Sequence, residues 1–192
     1  MEIKFLNNST IFLKGKKESV LVDPTITDLA ENKGNSRIIV YTNGDFNDVD
    51  ILDNQKIIIR GGGEYEVGGI EIIGFNGENN NTMYRIVIDG FVLVILGAIN
   101  QELTSKRIER IDSTDILLAP TKIGDKSSFK LTREWAKKWG ANYLIPVDGD
   151  EDSLKKFLDE ADEEGLEQVE SLKLEKQEEL PDGLEIKLLK NN

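Results

Sequence analysis

The segment Thr42-Asn43-Gly44-Asp45-Phe46-Asn47-Asp48 crowds amide and carboxylate oxygens into seven residues. It follows the apolar run Arg37–Tyr41, which reads as a buried strand, so it is a loop at a strand end. Such loops let side chains from separate parts of a chain converge on one point. Oxygen donors suit hard cations such as Mg²⁺, Ca²⁺ and Mn²⁺. Zinc favours imidazole and thiolate, and the 192 residues contain no histidine and no cysteine. The usual ligands for a zinc-activated water are therefore missing from the whole chain.

Other candidate chemistries read weakly. Asp148-Gly149-Asp150-Glu151-Asp152 resembles the start of a calcium loop, with Asp159 at the twelfth place. Ser153 occupies the sixth place, where such a loop turns on glycine. The segment Ser153–Ala161 reads as a helix, and acidic residues before a helix are expected from capping and the macrodipole. The absence of cysteine excludes disulfides and thiol nucleophiles. Ser9, Ser127 and Ser128 have no histidine base and no recognisable flanking motif. Gly61-Gly62-Gly63 does not form a phosphate loop, since no helix opening with Lys-Ser/Thr follows.

The first half of the chain reads as strands. Short β-type runs cover Glu2–Leu6, Thr10–Leu13 and Ser19–Val22, with Asp23-Pro24 ending the third. Asp28–Gly34 reads as a short helical turn or loop. Lys56–Arg60 is a further strand. Glu64–Val67 and Ile70–Phe75 flank Gly68-Gly69, and Met83–Ile88 and Phe91–Leu96 flank Asp89-Gly90, both hairpin signatures. The second half changes period. Thr104–Ile111, Leu131–Trp139 and Ser153–Ala161 read as helices, with Leu131, Trp135 and Trp139 on one stripe. Asp115–Ala119, Tyr143–Val147 and Leu184–Leu189 read as strands. The Glu-rich stretch Glu160–Glu179 reads as a solvated helix end and an edge strand. This order suits two packed sheets with helices outside.

Hydrophobic residues make up 39% and charged residues 31% of the chain, which is a globular composition. The length suits one domain, residues 1–192, with a full-sized core. The net charge of −12 argues against a general nucleic-acid binder. Lys122, Lys126, Lys130, Arg133, Lys137 and Lys138 read as a solvated helix face with its preceding loop. Met1–Leu6 alternates like a strand rather than a signal peptide. The longest apolar run, Phe91–Ile99, is far short of the roughly 20 residues of a membrane helix. The expected location is the cytoplasm, with no membrane partner.

Several segments in order resemble the metallo-β-lactamase-fold hydrolases, in the branch of ascorbate-6-phosphate lactonase. They include Ile3–Ser9, Val20-Leu21-Val22-Asp23-Pro24, Gly63–Gly69, Asn81-Thr82-Met83-Tyr84, Leu96-Gly97, Asp115–Pro120 and Leu144-Ile145-Pro146-Val147. The resemblance covers most of residues 1–189. It implies an α/β fold, a four-layer αββα sandwich of two mixed sheets with helices outside. The family signature Thr/Ser-His-x-His-x-Asp-His falls on Thr42–Asp48. The resemblance places Asn43 and Asp45 where the first zinc is held, and Asn47 and Asp48 where the second is held. It places Ala98 at the bridging aspartate and Asp148 at the final histidine. The loop Asn76–Asn81 has no equivalent of the remaining histidine.

These replacements imply a catalytically inactive protein with a degenerate metal site, no zinc and no cofactor, serving a binding or scaffolding role. An unknown protein or a small molecule in the old cleft would be its partner. A homo- or hetero-oligomer with a related protein of the same fold is a further expectation. The alternative is a Mg-, Mn- or Ca-dependent hydrolase. In it Asp45, Asp48 and Asp148 converge on a divalent cation, since three carboxylates repel one another unless a cation or protons intervene.

Overall fold

The structure is a computed structural model describing residues 1–7, 9–31, 35–43, 56–77, 79–99, 101–147, 149–163 and 165–191. The chain begins with β1 (Glu2–Phe5), β2 (Ile11–Lys14), β3 (Ser19–Val22), helix α1 (Ile26–Ala30), β4 (Ile38–Tyr41) and β5 (Ile57–Arg60). A meander follows: β6 (Gly63–Val67), β7 (Ile70–Asn76), β8 (Thr82–Ile88) and β9 (Phe91–Ile95). Next come α2 (Ser105–Ile108), β10 (Ile116–Pro120), β11 (Lys122–Ile123), β12 (Lys126–Ser127), α3 (Phe129–Trp139), β13 (Tyr143–Val147) and α4 (Glu151–Ala161). The chain closes with β14 (Gln168–Val169), β15 (Leu172–Lys173), β16 (Glu185–Ile186) and β17 (Leu188–Leu189).

Two mixed sheets result. The first has the order β15-β1-β2-β3-β4-β5 and the second β16-β13-β10-β9-β8-β7-β6. Strand alternation sets which side chains meet between them. Ile3, Phe5, Leu13, Val20 and Val22 of the first sheet share one core with Ile72, Ile86, Leu93, Leu118 and Ile145 of the second. β10 and β13 pair in parallel and are buried along their whole length, as strands covered on both faces must be. Their outward residues Leu117, Ala119 and Leu144 pack with Phe129, Trp135, Trp139 and Phe157 from α3 and α4. On the other outer face Phe12 and Leu21 meet Leu29 of α1. The layers are helix, sheet, sheet, helix, the αββα sandwich expected from sequence.

Both hairpins form at their glycine turns. Gly68 and Gly69 have φ of 61° and 85°, and Asp89 and Gly90 have 53° and 86°. Positive φ at both central positions matches the twist of the flanking strands. The helix expected over Thr104–Ile111 shrinks to Ser105–Ile108. Thr104 makes no side-chain cap, and Arg110 and Ile111 turn back to carbonyls only three residues away. α3 starts earlier than its apolar stripe and ends at left-handed Gly140. The single strand expected over Leu184–Leu189 divides. β16 pairs with β13 while β17 pairs with β14. Ile186 packs against the outer cluster and Leu189 joins the inter-sheet core, so the segment serves two layers.

Tyr84 ties the two sheets together. It is fully buried on β8, and its hydroxyl lies 3.1 Å from the Tyr41 carbonyl and 3.2 Å from that of Gly61. Burial pushes its ionisation well above the ordinary range, so the hydroxyl stays a neutral donor. Tyr84→Phe removes this hydroxyl and is expected to cost about 1–3 kcal/mol, read as a lower urea midpoint at unchanged slope.

Candidate functional site

Strands β3, β4 and β9 end on the same side of the sandwich, and their ends frame a cleft of about 630 Å³. Asp23, Thr42 and Ala98 each follow one of these strands. The walls are mostly apolar, built from Ile11, Pro24, Tyr41, Ile95 and Val147, with hydroxyls from Ser9, Thr25 and Thr27. Ile26 stands at the mouth and is 42% exposed, an unusual state for a large apolar side chain here.

The base of the cleft is held by one carboxylate. Asp23 Oδ1 accepts from the Thr42 backbone N–H at 2.7 Å, and Oδ2 accepts from the Thr42 hydroxyl at 2.6 Å. Asp23 itself has φ of 49°, a left-handed conformation that Asp tolerates better than most residues. Its N–H donates to the Val40 carbonyl, so β3 and β4 stay paired up to this turn. The Thr42 carbonyl then accepts from the Thr82 N–H at 2.7 Å, which carries the first sheet onto the second. Gly97, with φ of 67°, passes so close that a Cβ there would lie 2.5 Å from Thr42 Cβ and 2.9 Å from Asn81 Nδ2. Only glycine fits that approach.

A second carboxylate, Asp28, fastens α1 beside the cleft. It is 2% exposed, and its Oδ2 accepts from Asn7, Thr10, and both the backbone and hydroxyl of Thr25. Thr25 and Asp28 form a reciprocal capping box. Burial raises the Asp28 carboxyl, but the hydrogen bonds from Thr25, Thr10 and Asn7 outweigh it and hold it below 3.8. Tyr41, on the cleft wall, is pushed up to about 12, first by burial and partly offset by Arg60, whose guanidinium sits 5.1 Å from its ring centre. Neither Tyr41 nor Tyr84 is an anionic base or nucleophile near neutral pH.

The cleft contains two of the six positions singled out from sequence. Asn43 is exposed on its rim and forms a bridge with Asn81. Ala98 is exposed and also lines the cleft, so a methyl group stands where the resemblance places a bridging carboxylate. Asp45, Asn47, Asp48 and Asp148 lie outside the described residues. Among the described residues no group of three His, Cys, Asp or Glu could hold a metal ion. The acidic segment at Asp150 is a helix start. Its side chain accepts from the Ser153 N–H at 2.7 Å and caps α4. Residue patterns did not reveal the roles of Asp23, Asp28 and Gly97. Asp23-Pro24 read only as a strand end, and Asp28 sits in a polar stretch with no apolar period.

A family model described as a beta-lactamase superfamily domain matches residues 2–148. The chain belongs to that superfamily. Solved structures agree on the fold. A Thermotoga maritima protein assigned to the Zn-dependent hydrolases of the metallo-β-lactamase superfamily is 20% identical, with 98% of each chain covered and a TM-score of 0.75. The metallo-β-lactamase-fold protein YhfI from Bacillus subtilis is 12% identical over 99% of this chain and 96% of its own, at 0.64. Zn²⁺-bound PqqB from Methylobacterium extorquens is 12% identical over 91% of this chain and 100% of its own, at 0.58. No curated protein matches the chain.

Asp23→Ala should destabilise the fold by at least about 1.5 kcal/mol in urea unfolding, because it strips both Thr42 bonds from a charged acceptor. Thr42→Val, which keeps the backbone bond, should cost less. The depressed Asp28 carboxyl contributes stability that is fully present above 3.8 and is lost as pH falls through its lower folded value. Asp28→Asn should therefore flatten the acid limb of a stability–pH curve below about pH 4.

Proposed function

We propose that this member of the superfamily is a pseudoenzyme that binds a small, largely neutral molecule in the cleft where its relatives' fold would place a metal centre. The observation that carries the reading is the pairing of a kept frame with an altered wall. Asp23 clamps Thr42 and Gly97 admits it, and the cleft presents Ala98 and Asn43 where the resemblance implies metal ligands. Without histidine or cysteine the chain lacks the imidazole and thiolate ligands that zinc favours, and without such a metal there is no metal-activated water for hydrolysis.

The cleft's size falls in the range of about 300–1,000 Å³ typical of small-molecule sites. Among the described residues its one charged lining residue is Asp23, and Thr42 donates to both of its oxygens. Apolar walls with a few hydroxyls favour a ligand with an apolar body and one or two uncharged polar groups. A scaffolding role toward a related chain would use the same retained fold. The lactonase-like branch suggested by sequence would be its ancestry rather than its activity.

Elemental analysis of protein purified without chelator should find no stoichiometric zinc, and lactone, ester and phosphodiester substrates should remain uncleaved. Stoichiometric transition metal with chelator-sensitive hydrolysis would overturn the reading. So would a melting temperature raised by Mg²⁺, Mn²⁺ or Ca²⁺ and lost in Asp45→Ala, which belongs to the cation-dependent alternative. Ligand-observed NMR with small neutral amphiphiles should show binding that Ala98→Trp abolishes. Equal binding by that variant would contradict occupancy of the cleft.

A further inference from the structure

A second concavity, of about 670 Å³, lies at the opposite end of the same strands. β3 runs from Ser19 in this groove to Val22 beside Asp23 at the cleft, and β4 from next to Arg37 up to Tyr41. Among the described residues none lines both. The groove opens on the outward face of the first sheet. Its basic residues are Lys4, Lys14, Lys16, Lys17, Arg37 and Lys56. Its acidic residues are Glu2 and Glu18, so the lining carries +4 in a chain of −12, and everything else carries −16.

Both carboxylates are already engaged. Glu18 pairs with Arg37 at 3.4 Å and Glu2 with Lys173 at 3.6 Å. Lys56 donates to the Ser36 carbonyl at 2.6 Å, and the Lys4 ammonium sits 5.3 Å from the Phe12 ring centre. Lys14, Lys16 and Lys17 are exposed and form no ion pair among the described residues. The turn that bears the last two is fixed at both ends. The Gly15 N–H donates to the Glu18 carbonyl at 2.9 Å, and the Lys16 N–H donates to the Asp89 carboxylate at 2.9 Å. Six cations thus share the groove with two carboxylates: Glu18 pairs with Arg37, and Glu2 lies within the field of Lys4 and Lys14 as well as Lys173.

We propose that this groove is a binding site for a small, multiply charged anion of the oligophosphate class. Several ammonium groups clustered in one groove can meet several phosphate oxygens at once. The remaining −16 repels any polyanion long enough to leave the groove, and the net −12 on each copy opposes self-association, so a compact anion is favoured over either. Phe12 is buried beneath Lys4, so recognition rests on charge rather than on stacking a base.

Calorimetric titration with inorganic triphosphate tests the site. Native protein at about 50 mM salt should show saturable one-to-one binding, weakened about tenfold or more at about 200 mM salt. Lys14→Glu with Lys17→Glu should lose the binding, and the milder Lys14→Gln with Lys17→Gln should weaken it. Lys137→Glu with Lys138→Glu, on the exposed last turn of α3, should leave it unchanged. Absence of saturable binding, or equal loss in the α3 control, would overturn the proposal. Tighter binding of a single-stranded RNA 20-mer than of triphosphate would also overturn it. So would salt-sensitive self-association in sedimentation that the groove variants abolish.

Discussion

The cleft depends on one carboxylate. Asp23 accepts both hydrogen bonds that Thr42 can offer it, from N–H and from hydroxyl, at the point where β4 leaves the first sheet. That clamp fixes where the following loop begins. The Thr42 carbonyl then receives the Thr82 N–H, so one residue is pinned from both sheets at once. Gly97 is the steric counterpart, since any side chain would push Thr42 away. Charged acceptors make hydrogen bonds roughly twice as strong as neutral ones. A left-handed Asp23 is therefore tolerable where its two bonds over-determine the turn.

This arrangement separates two roles that a metal site normally merges. The frame sets the positions of side chains, and the side chains supply the chemistry. Here the frame is ordered, and the two described residues at positions the resemblance assigns to metal ligands are Ala98 and Asn43. Relatives of the same fold at 12–20% identity share the architecture with this chain, and at that distance the likeness speaks for the fold alone. The Tyr41 hydroxyl stays neutral near pH 7, and both Asp23 oxygens accept from Thr42.

Much of the fold was legible because its strongest elements obey local rules. Asp89-Gly90 and Gly68-Gly69 set their hairpins through positive φ, and Trp135 and Trp139 belong to the buried stripe of α3 at 5% and 2% exposure. Boundaries were less legible where tertiary contacts decide them. Leu184–Leu189 alternates well enough for one strand, but the two layers it must serve divide it. The strand pairing of Leu172–Lys173 with β1 rests on a partner some 170 residues away, which no local pattern encodes. Of the positions singled out through the family resemblance, Asn43 and Ala98 line the cleft. The roles of Asp23 and Asp28 were not legible, because a hydrogen-bonded carboxylate and a solvated one look alike in sequence.

If the frame is intact and only the ligands are gone, putting the ligands back should restore metal binding. Asn43→His, Asp45→His, Asn47→Asp, Asp48→His, Ala98→Asp and Asp148→His together rebuild the positions the resemblance assigns. Zinc titration by calorimetry is the direct measurement. The account predicts stoichiometric zinc binding by the rebuilt chain and none by the native one. Failure of a folded rebuilt chain to bind zinc, or equal binding by the native chain, would contradict it.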